Sequence, residues 1–382
     1  MPAKFELIAP CFFGCEATAK FELTRIGAEN IRVGDGRLTF AGGPEMIAAA
    51  NLNLRTVERV MLLLNTYPAS TFDELFDGVY SIPWEELLPA DAAFPVTGSS
   101  LNSQLTSVPA CQSIIKKAVV KRLMNKHHTS VLPETGAEYK IRFMLRKNVC
   151  EIMLDTTGEG LHKRGYRTLT SKAPITETLA AALIMLTPWK SDRILVDPFC
   201  GSGTFPIEAA MMAANIAPGM NREFTAEQWE NLIPKKEWYM AIEEANDNIC
   251  MDIETDIQGF DIDENVIKIA RQNACNAGVD KLIHFQARDV RQLSHAKKYG
   301  FVITNPPYGE RLEEKEALPA LYTALGEQFA KLDSWSAYVI TSYTDIEKYF
   351  GRKADKNRKI YNGMLKTYFY SFLGPKPPKK NV

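Results

Sequence analysis

Between residues 193 and 372 the chain alternates between two hydrophobic periods. Short apolar runs at 193–196, 257–260, 282–285, 301–304, 337–341 and 365–372 read as strands. Longer amphipathic stretches at 203–214, 265–277 and 318–332 read as helices. That rhythm commits a chain to parallel pairing, because a parallel neighbour needs a crossover long enough to hold a helix. Residues 166–382 are therefore expected to form a doubly wound α/β sheet. One stretch, 215–252, interrupts the rhythm. It opens with the turn signal Pro218-Gly219 and carries Trp229 and Trp238 as large anchors, so it reads as a mostly helical insertion.

Upstream the pattern differs. Residues 1–65 read as a small α+β unit, with strands at 5–9, 31–33, 37–41 and 57–64 and helices at 15–27 and 46–53. Its hairpin signal is Gly34-Asp35-Gly36. Residues 66–165 form a second unit, with helices at 72–80 and 113–125, a short edge strand at 93–96, and consecutive strands at 138–145 and 149–154. Pro95 keeps the short strand at an edge, since proline cannot donate to a ladder.

At 46% hydrophobic and 24% charged, the 382-residue chain can bury sizeable cores without covalent staples. Met1-Pro2-Ala3-Lys4-Phe5 carries no signal-like apolar stretch and no run approaches membrane-spanning length, so a cytoplasmic location and no membrane partner are expected. Seven scattered cysteines, without a CxxC pair, are expected to be reduced and mostly buried, with no metal. The net charge of −1 conceals an asymmetry. From Phe94 to Thr170 there are twelve Lys and Arg against five Asp and Glu, a local +7. Lys116, Lys117, Lys121 and Arg122 share one predicted helix, and a second basic cluster holds Arg352, Lys353, Lys356, Arg358 and Lys359. Such patches on a neutral chain suit phosphate contacts, although solvated surface is the commoner fate of a basic run.

Four of the expected strands end in residues able to carry chemistry. After the first comes Asp197-Pro198-Phe199-Cys200-Gly201-Ser202-Gly203-Thr204. Gly201 and Gly203 permit a tight turn and close backbone approach to a ligand, and the following helix offers free N–H groups. Pro206 occupies the third glycine position of a dinucleotide fingerprint, so a pyrophosphate is not expected there. Asp261 ends the second strand and suits ribose hydroxyls. Asp289 ends the third and is able to accept from an adenine amino group. Each carboxylate, taken singly, also has an ordinary use as a helix cap. The fourth strand stops at Asn305-Pro306-Pro307-Tyr308. Two prolines forbid its continuation and present an amide, a rigid carbonyl and an aromatic ring. Asn305 and the Pro306 carbonyl can accept both N–H bonds of a planar amine while Tyr308 stacks on its face. Cys200 reads as a small turn residue, without a neighbouring histidine to activate it.

These ordered motifs resemble those of class I S-adenosylmethionine-dependent amino-methyltransferases. The resemblance extends to Leu161-His162-Lys163-Arg164-Gly165-Tyr166-Arg167, Ala173-Pro174, Asn305 through Leu312, and Tyr361-Asn362-Gly363. Together they resemble the bacterial THUMP-containing rRNA guanine-N2 methyltransferases, often labelled N6-adenine-specific DNA methylases. The resemblance implies a Rossmann-like methyltransferase domain at 166–382. It implies a ferredoxin-like piece at 1–65 and a THUMP RNA-binding domain at 66–165 before it. It also implies S-adenosylmethionine as cofactor, held by Asp197, Phe199, Gly201, Gly203, Thr204, Asp261, Asp289 and Asn305. Asn305, Pro306 and Tyr308 would act on the base, and RNA would lie on Lys116, Lys117, Lys121 and Arg122. Guanine N2 is chosen over adenine N6 by resemblance alone. A DNA adenine substrate, a glutamine amide in a protein, and a non-catalytic RNA-binding assembly factor remain the competing readings.

Overall fold

The computed structural model describes residues 4–167, 175–309 and 312–378. Ala173-Pro174, Glu310, Arg311, Lys379 and Lys380 lie outside them. The chain divides into two compact units. One gathers the chain up to Pro10, Lys20–Leu161 and Glu223–Glu244; the other gathers Cys11–Ala19, His162–Arg222 and the chain from Ala245 on.

The first unit is built on one seven-stranded sheet. Its elements follow as β1 (Phe5–Pro10), α1 (Glu16–Arg25, shared with the second unit), β2 (Glu29–Gly34), β3 (Arg37–Gly42), α2 (Pro44–Asn53), β4 (Met61–Pro68), α3 (Phe72–Tyr80), α4 (Trp84–Leu87), β5 (Val96–Leu101), α5 (Val108–His127), β6 (Ile141–Arg146) and β7 (Val149–Asp155). The order is β2-β3-β1-β4-β7-β6-β5, and only β5 and β6 run parallel. The expected hairpin forms, with Gly34 opposite Arg37 and Gly36 at φ +67°. Lys147 and Asn148, at φ +52° and +61°, make the two-residue turn between β6 and β7, where positive φ matches the strand twist.

The second unit holds the alternating region: α6 (Glu177–Met185), β8 (Leu195–Asp197), α7 (Thr204–Ala213), α8 (Lys235–Asp247, shared with the first unit), β9 (Ile257–Asp261), α9 (Glu264–Asn276), β10 (Ile283–Ala287), β11 (Phe301–Thr304), α10 (Leu312–Ala330), β12 (Ser336–Thr341), α11 (Ile346–Phe350), β13 (Lys356–Asn362) and β14 (Leu365–Phe372). The order is β10-β9-β8-β11-β12-β14-β13, parallel except for β14. Apolar residues alternate between two cores, as a strand period of two requires. Leu195, Phe301, Ile303 and Ile340 face one core, and Val196, Val302, Val339 and Phe372 face the other.

Several expected boundaries shift. The strand expected at 57–64 is β4, starting at Met61, because its register is set by pairing with β1 and β7. The edge strand expected at 93–96 is β5, starting at Val96, with Ala93 making only an isolated bridge to Glu138. Its sequence, Val-Thr-Gly-Ser-Ser-Leu, has no apolar alternation, and Gly98 is required because a Cβ there would lie 2.3 Å from Phe143. Lys356, Arg358 and Lys359, read as a basic cluster, belong to edge strand β13. The anchors at 229 and 238 behave as expected. Trp229 is buried and stacks on Tyr139 at 4.6 Å, and Trp238 stacks on Phe224 at 5.5 Å.

Candidate active site at the carboxyl ends of β8, β9, β10 and β11

From β8 the chain proceeds outward to β9 and β10, whereas β11 and β12 lie on the other side of β8. The crevice beyond β8 and β11 is thus a topological switch point, where open α/β sheets bind ligands. Asp197, Asp261, Asp289 and Asn305 end or follow these four adjacent strands.

Asp197 is buried, and its Oδ1 accepts from the Thr304 hydroxyl at 2.5 Å and from the Phe199 N–H at 3.1 Å. It thereby ties the end of β11 to the turn after β8. Burial pushes its carboxyl up to about 7, with the Asp261 charge adding to the rise and the two hydrogen bonds opposing it. Gly201 and Gly203 take φ +52° and +89°, and Gly203 caps the start of α7. A Cβ on Gly203 would sit 3.1–3.2 Å from Phe285, Ala270 and Ile207, so space as well as conformation selects glycine. The Cys200 thiol is buried and pushed well above its usual range by that burial, the opposite of an activated nucleophile.

Asp261 accepts from Gly201 N–H at 3.2 Å on Oδ2 and from Asp263 N–H at 3.0 Å on Oδ1. Burial raises its carboxyl. Asp263 is the residue that caps α9, through Asn265 N–H at 2.8 Å. Asp289 does cap a short turn, accepting from Arg291 N–H at 2.8 Å on Oδ1. Asp261 and Asp289 border a cavity of about 560 Å³ that also includes Phe199, Ile262, Val290 and Pro307.

At the end of β11, Pro306 is buried, Asn305 and Tyr308 are half-buried, and Gly309 turns the chain at φ +71°. The Tyr308 hydroxyl donates to Asn305 Oδ1, and Asn362 lies near enough to oppose the rise of the Tyr308 phenol. Burial raises the Tyr308 phenol, which therefore stays protonated.

Thr204, expected at the cofactor, accepts from Arg167 at 2.6 Å through its hydroxyl. Arg167 also pairs with buried Glu177 at 3.3 Å. Arg164 lies 3.4 Å from Glu208, whose Oε1 also accepts from Tyr166 at 3.1 Å. Arg164, Tyr166 and Arg167 of the 161–167 motif thus brace α7 through Thr204 and Glu208. Gly165 at φ +91° leaves no room for a Cβ, which would lie 2.0 Å from the Asn221 carbonyl.

Sequence reasoning missed Ile262 and Val290. Ile262, 72% exposed beside the cavity, left a signal: an apolar residue between two aspartates at a strand end. Lys116, Lys117, Lys121 and Arg122 belong to the other unit, on α5. Lys116 pairs with Glu134 at 2.6 Å and Arg122 with Glu85 at 2.5 Å. Lys117 and Lys121 are exposed and have no carboxylate partner among the described residues.

The site fits S-adenosylmethionine. The cavity has room for an adenosine, and the Asp261 and Asp289 carboxylates on its border are of the chemistry that accepts from hydroxyls and amines. Ser202 Oγ, in the same turn, is buried without a hydrogen-bond partner. Among the described residues no three His, Cys, Asp or Glu side chains cluster as metal ligands.

Fold and site define a class I methyltransferase. Residues 164–370 match the family described as RMKL-like, methyltransferase domain; residues 6–61 match the RlmL ferredoxin-like domain and 69–155 the THUMP domain. The chain belongs to this family of THUMP-bearing, S-adenosylmethionine-dependent RNA methyltransferases. It is 44% identical to "Putative RNA methyltransferase YpsC" of Bacillus subtilis, over 99% of this chain and 98% of that protein. It is 31% identical to the "Ribosomal RNA large subunit methyltransferase K/L" of Buchnera aphidicola, covering 96% of this chain but 54% of the relative, about half its length. A "possible methylase" from Clostridium difficile superposes with a TM-score of 0.95 at 48% identity, over 99% of this chain and 100% of that one. SMU.472, a "putative methyltransferase complexed with SAH", superposes with a TM-score of 0.93 at 44% identity, again over 99% and 100%.

Proposed function

We propose that the chain methylates an exocyclic base amine in RNA, guanine N2 of large-subunit rRNA, with Asn305, Pro306 and Tyr308 holding the base. The observation that supports this reading is Pro307, between Pro306 and Tyr308, lining the cavity at the switch point. Bound there, S-adenosylmethionine supplies a methyl group made electrophilic by its sulfonium and leaves as S-adenosylhomocysteine.

The amine is a weak nucleophile, since its lone pair is delocalised into the ring. Asn305 Oδ1 and the Pro306 carbonyl accept its two N–H bonds, which favours a pyramidal nitrogen and stabilises its developing positive charge. The Tyr308 hydroxyl gives up Asn305 Oδ1 to the substrate, while its ring stacks on the base. Alignment of nitrogen and methyl supplies the rest. With S-adenosylmethionine bound, the N–C bond would form as the S–C bond breaks, and the surplus proton would leave to solvent. The base must leave its stack to reach this pocket, at a cost of roughly a few kcal/mol. Phosphate contacts from exposed lysines of α5 hold the RNA meanwhile.

Adenine N6 presents the same amine geometry. Guanine is preferred because the chain resembles the guanine-N2 family throughout, and rRNA because of the K/L relatives' name. Mapping modified nucleosides in total RNA from cells with and without this gene tests the reading. Loss of one N2-methylguanosine from large-subunit rRNA is expected. Loss of an N6-methyladenosine instead would reassign the base, and an unchanged map would overturn the reading.

A further inference from the structure

The Tyr361-Asn362-Gly363 motif does not line the cavity, yet the fold carries it to the same side of the sheet. β14 runs antiparallel to β12 with Tyr368 opposite Thr341, the last residue of β12. Residues 360–367 therefore overhang the carboxyl end of the parallel sheet. Asn362 comes near the Tyr308 phenol there, close enough to oppose its rise. Ile360 and Thr367 face inward and are fully buried. On the opposite face of the hairpin, Lys359 stands across from Tyr368 and Tyr361 across from Lys366. Each ammonium sits over an aromatic ring: Lys359 5.0 Å from the Tyr361 centroid and Lys366 5.3 Å from that of Tyr368. Tyr368 packs partly against the core, whereas Lys359, Tyr361 and Lys366 are exposed, and two cations beside an exposed ring fit a phosphate backbone with a stacked base. At the tip, Gly363 at φ +60° turns the chain and leaves Met364 100% exposed. An apolar, unbranched side chain held wholly in water beside such a face has the form of a wedge that enters a base step.

We propose that the β13–β14 hairpin grips the RNA strand beside the target base, and that Met364 enters the stack in place of the base that Asn305 receives. The proposal rests on the methylation reading above. Exposed lysines on edge strand β13 have a simpler use, keeping the edge from pairing with another chain, and the test separates the two.

The full-length protein is assayed with total RNA from cells lacking this gene for methyl transfer, with a labelled single-stranded oligoribonucleotide for affinity, and with S-adenosylmethionine alone for cofactor binding. Met364→Ala is expected to lower kcat at least about tenfold, with cofactor affinity unchanged and oligonucleotide affinity within about twofold. Met364→Leu restores the rate. Lys359→Ala with Lys366→Ala is expected to reduce the salt slope of oligonucleotide binding by about 1.4, two single-strand phosphate contacts' worth. Wild-type kcat in Met364→Ala, or a leucine variant no better than alanine, overturns the wedge. An unchanged salt slope accompanied by self-association overturns the grip and assigns the lysines to edge protection. If the wild-type protein transfers no methyl group to this RNA, the methylation reading falls and this inference with it. If the wild type is active and the hairpin variants match it, only the hairpin falls.

Discussion

The Asn305 side chain has one oxygen, and the Tyr308 hydroxyl donates to it. Removing the hydroxyl and removing the ring therefore have different consequences. Tyr308→Phe keeps the stacking face and is expected to hold kcat within about tenfold of wild type. Tyr308→Ala forfeits a stack worth roughly 1–3 kcal/mol and should fall further, as steady-state methyl transfer will show. Asn305→Ala is expected to abolish transfer while calorimetry still detects S-adenosylmethionine binding; normal turnover would remove Asn305 from its role. Asp197 supports a prediction about stability. Its carboxyl lies at about 7 in the folded chain against an ordinary 3.8. Between those values the folded state keeps a proton that the unfolded state has lost, so stability from this group declines as pH rises from about 4 to about 7. Asp197→Asn retains an acceptor for Thr304 and Phe199 without the charge. Its melting temperature relative to wild type should be higher at pH 8 than at pH 5, and a pH-independent difference would contradict the assignment.

At the scale of elements, α5 shows how one basic helix divides its charges. Cys111, Ile115, Ala118, Val119 and Leu123 make its buried face. Arg122 fastens the helix to Glu85, whose carboxyl its hydrogen bonds hold down at about 2. Lys117 and Lys121, four residues apart and exposed, share the outer face. Lys117→Ala with Lys121→Ala is expected to weaken RNA binding and reduce its salt slope by about 1.4 while leaving the melting temperature in place. Arg122→Ala should lower the melting temperature and leave the slope unchanged, and the reverse pattern would reassign both. Element existence was legible wherever period and caps agreed. The helix at 72–80 is an example, with its capping box of Thr71 and Glu74. It was not legible in α6, whose Thr-Leu-Ala-Ala-Ala-Leu-Ile run is buried on all sides and so carries no amphipathic period. Nor was it in β13, whose outward charges hide one inward Ile360.

Across the whole molecule, the two units are not consecutive in the chain. Cys15 belongs to the core that also holds Leu195 and Phe301, whereas Trp229 and Trp238, far downstream, are anchored in the first unit by Tyr139 and Phe224. A fragment cut at residue 166 would lose the first contact and part Trp229 from Tyr139. It is expected to melt lower than the full chain or to aggregate, and a fragment as stable as the full chain would show that these crossings are dispensable.

The sequence by itself determined the alternating sheet, the strand ends that carry Asp197, Asp261, Asp289 and Asn305, and the glycines of the turn. Strand periodicity, proline and glycine act locally, so their consequences can be read without knowing what lies across the fold. Only the tertiary structure decided which basic residues are already paired, that Tyr308 occupies the Asn305 oxygen, that Arg164 and Tyr166 brace α7 through Glu208, and that Met364 stands beyond the ends of the parallel strands. Each of these depends on residues distant in sequence meeting in space, and on burial that a linear pattern does not report.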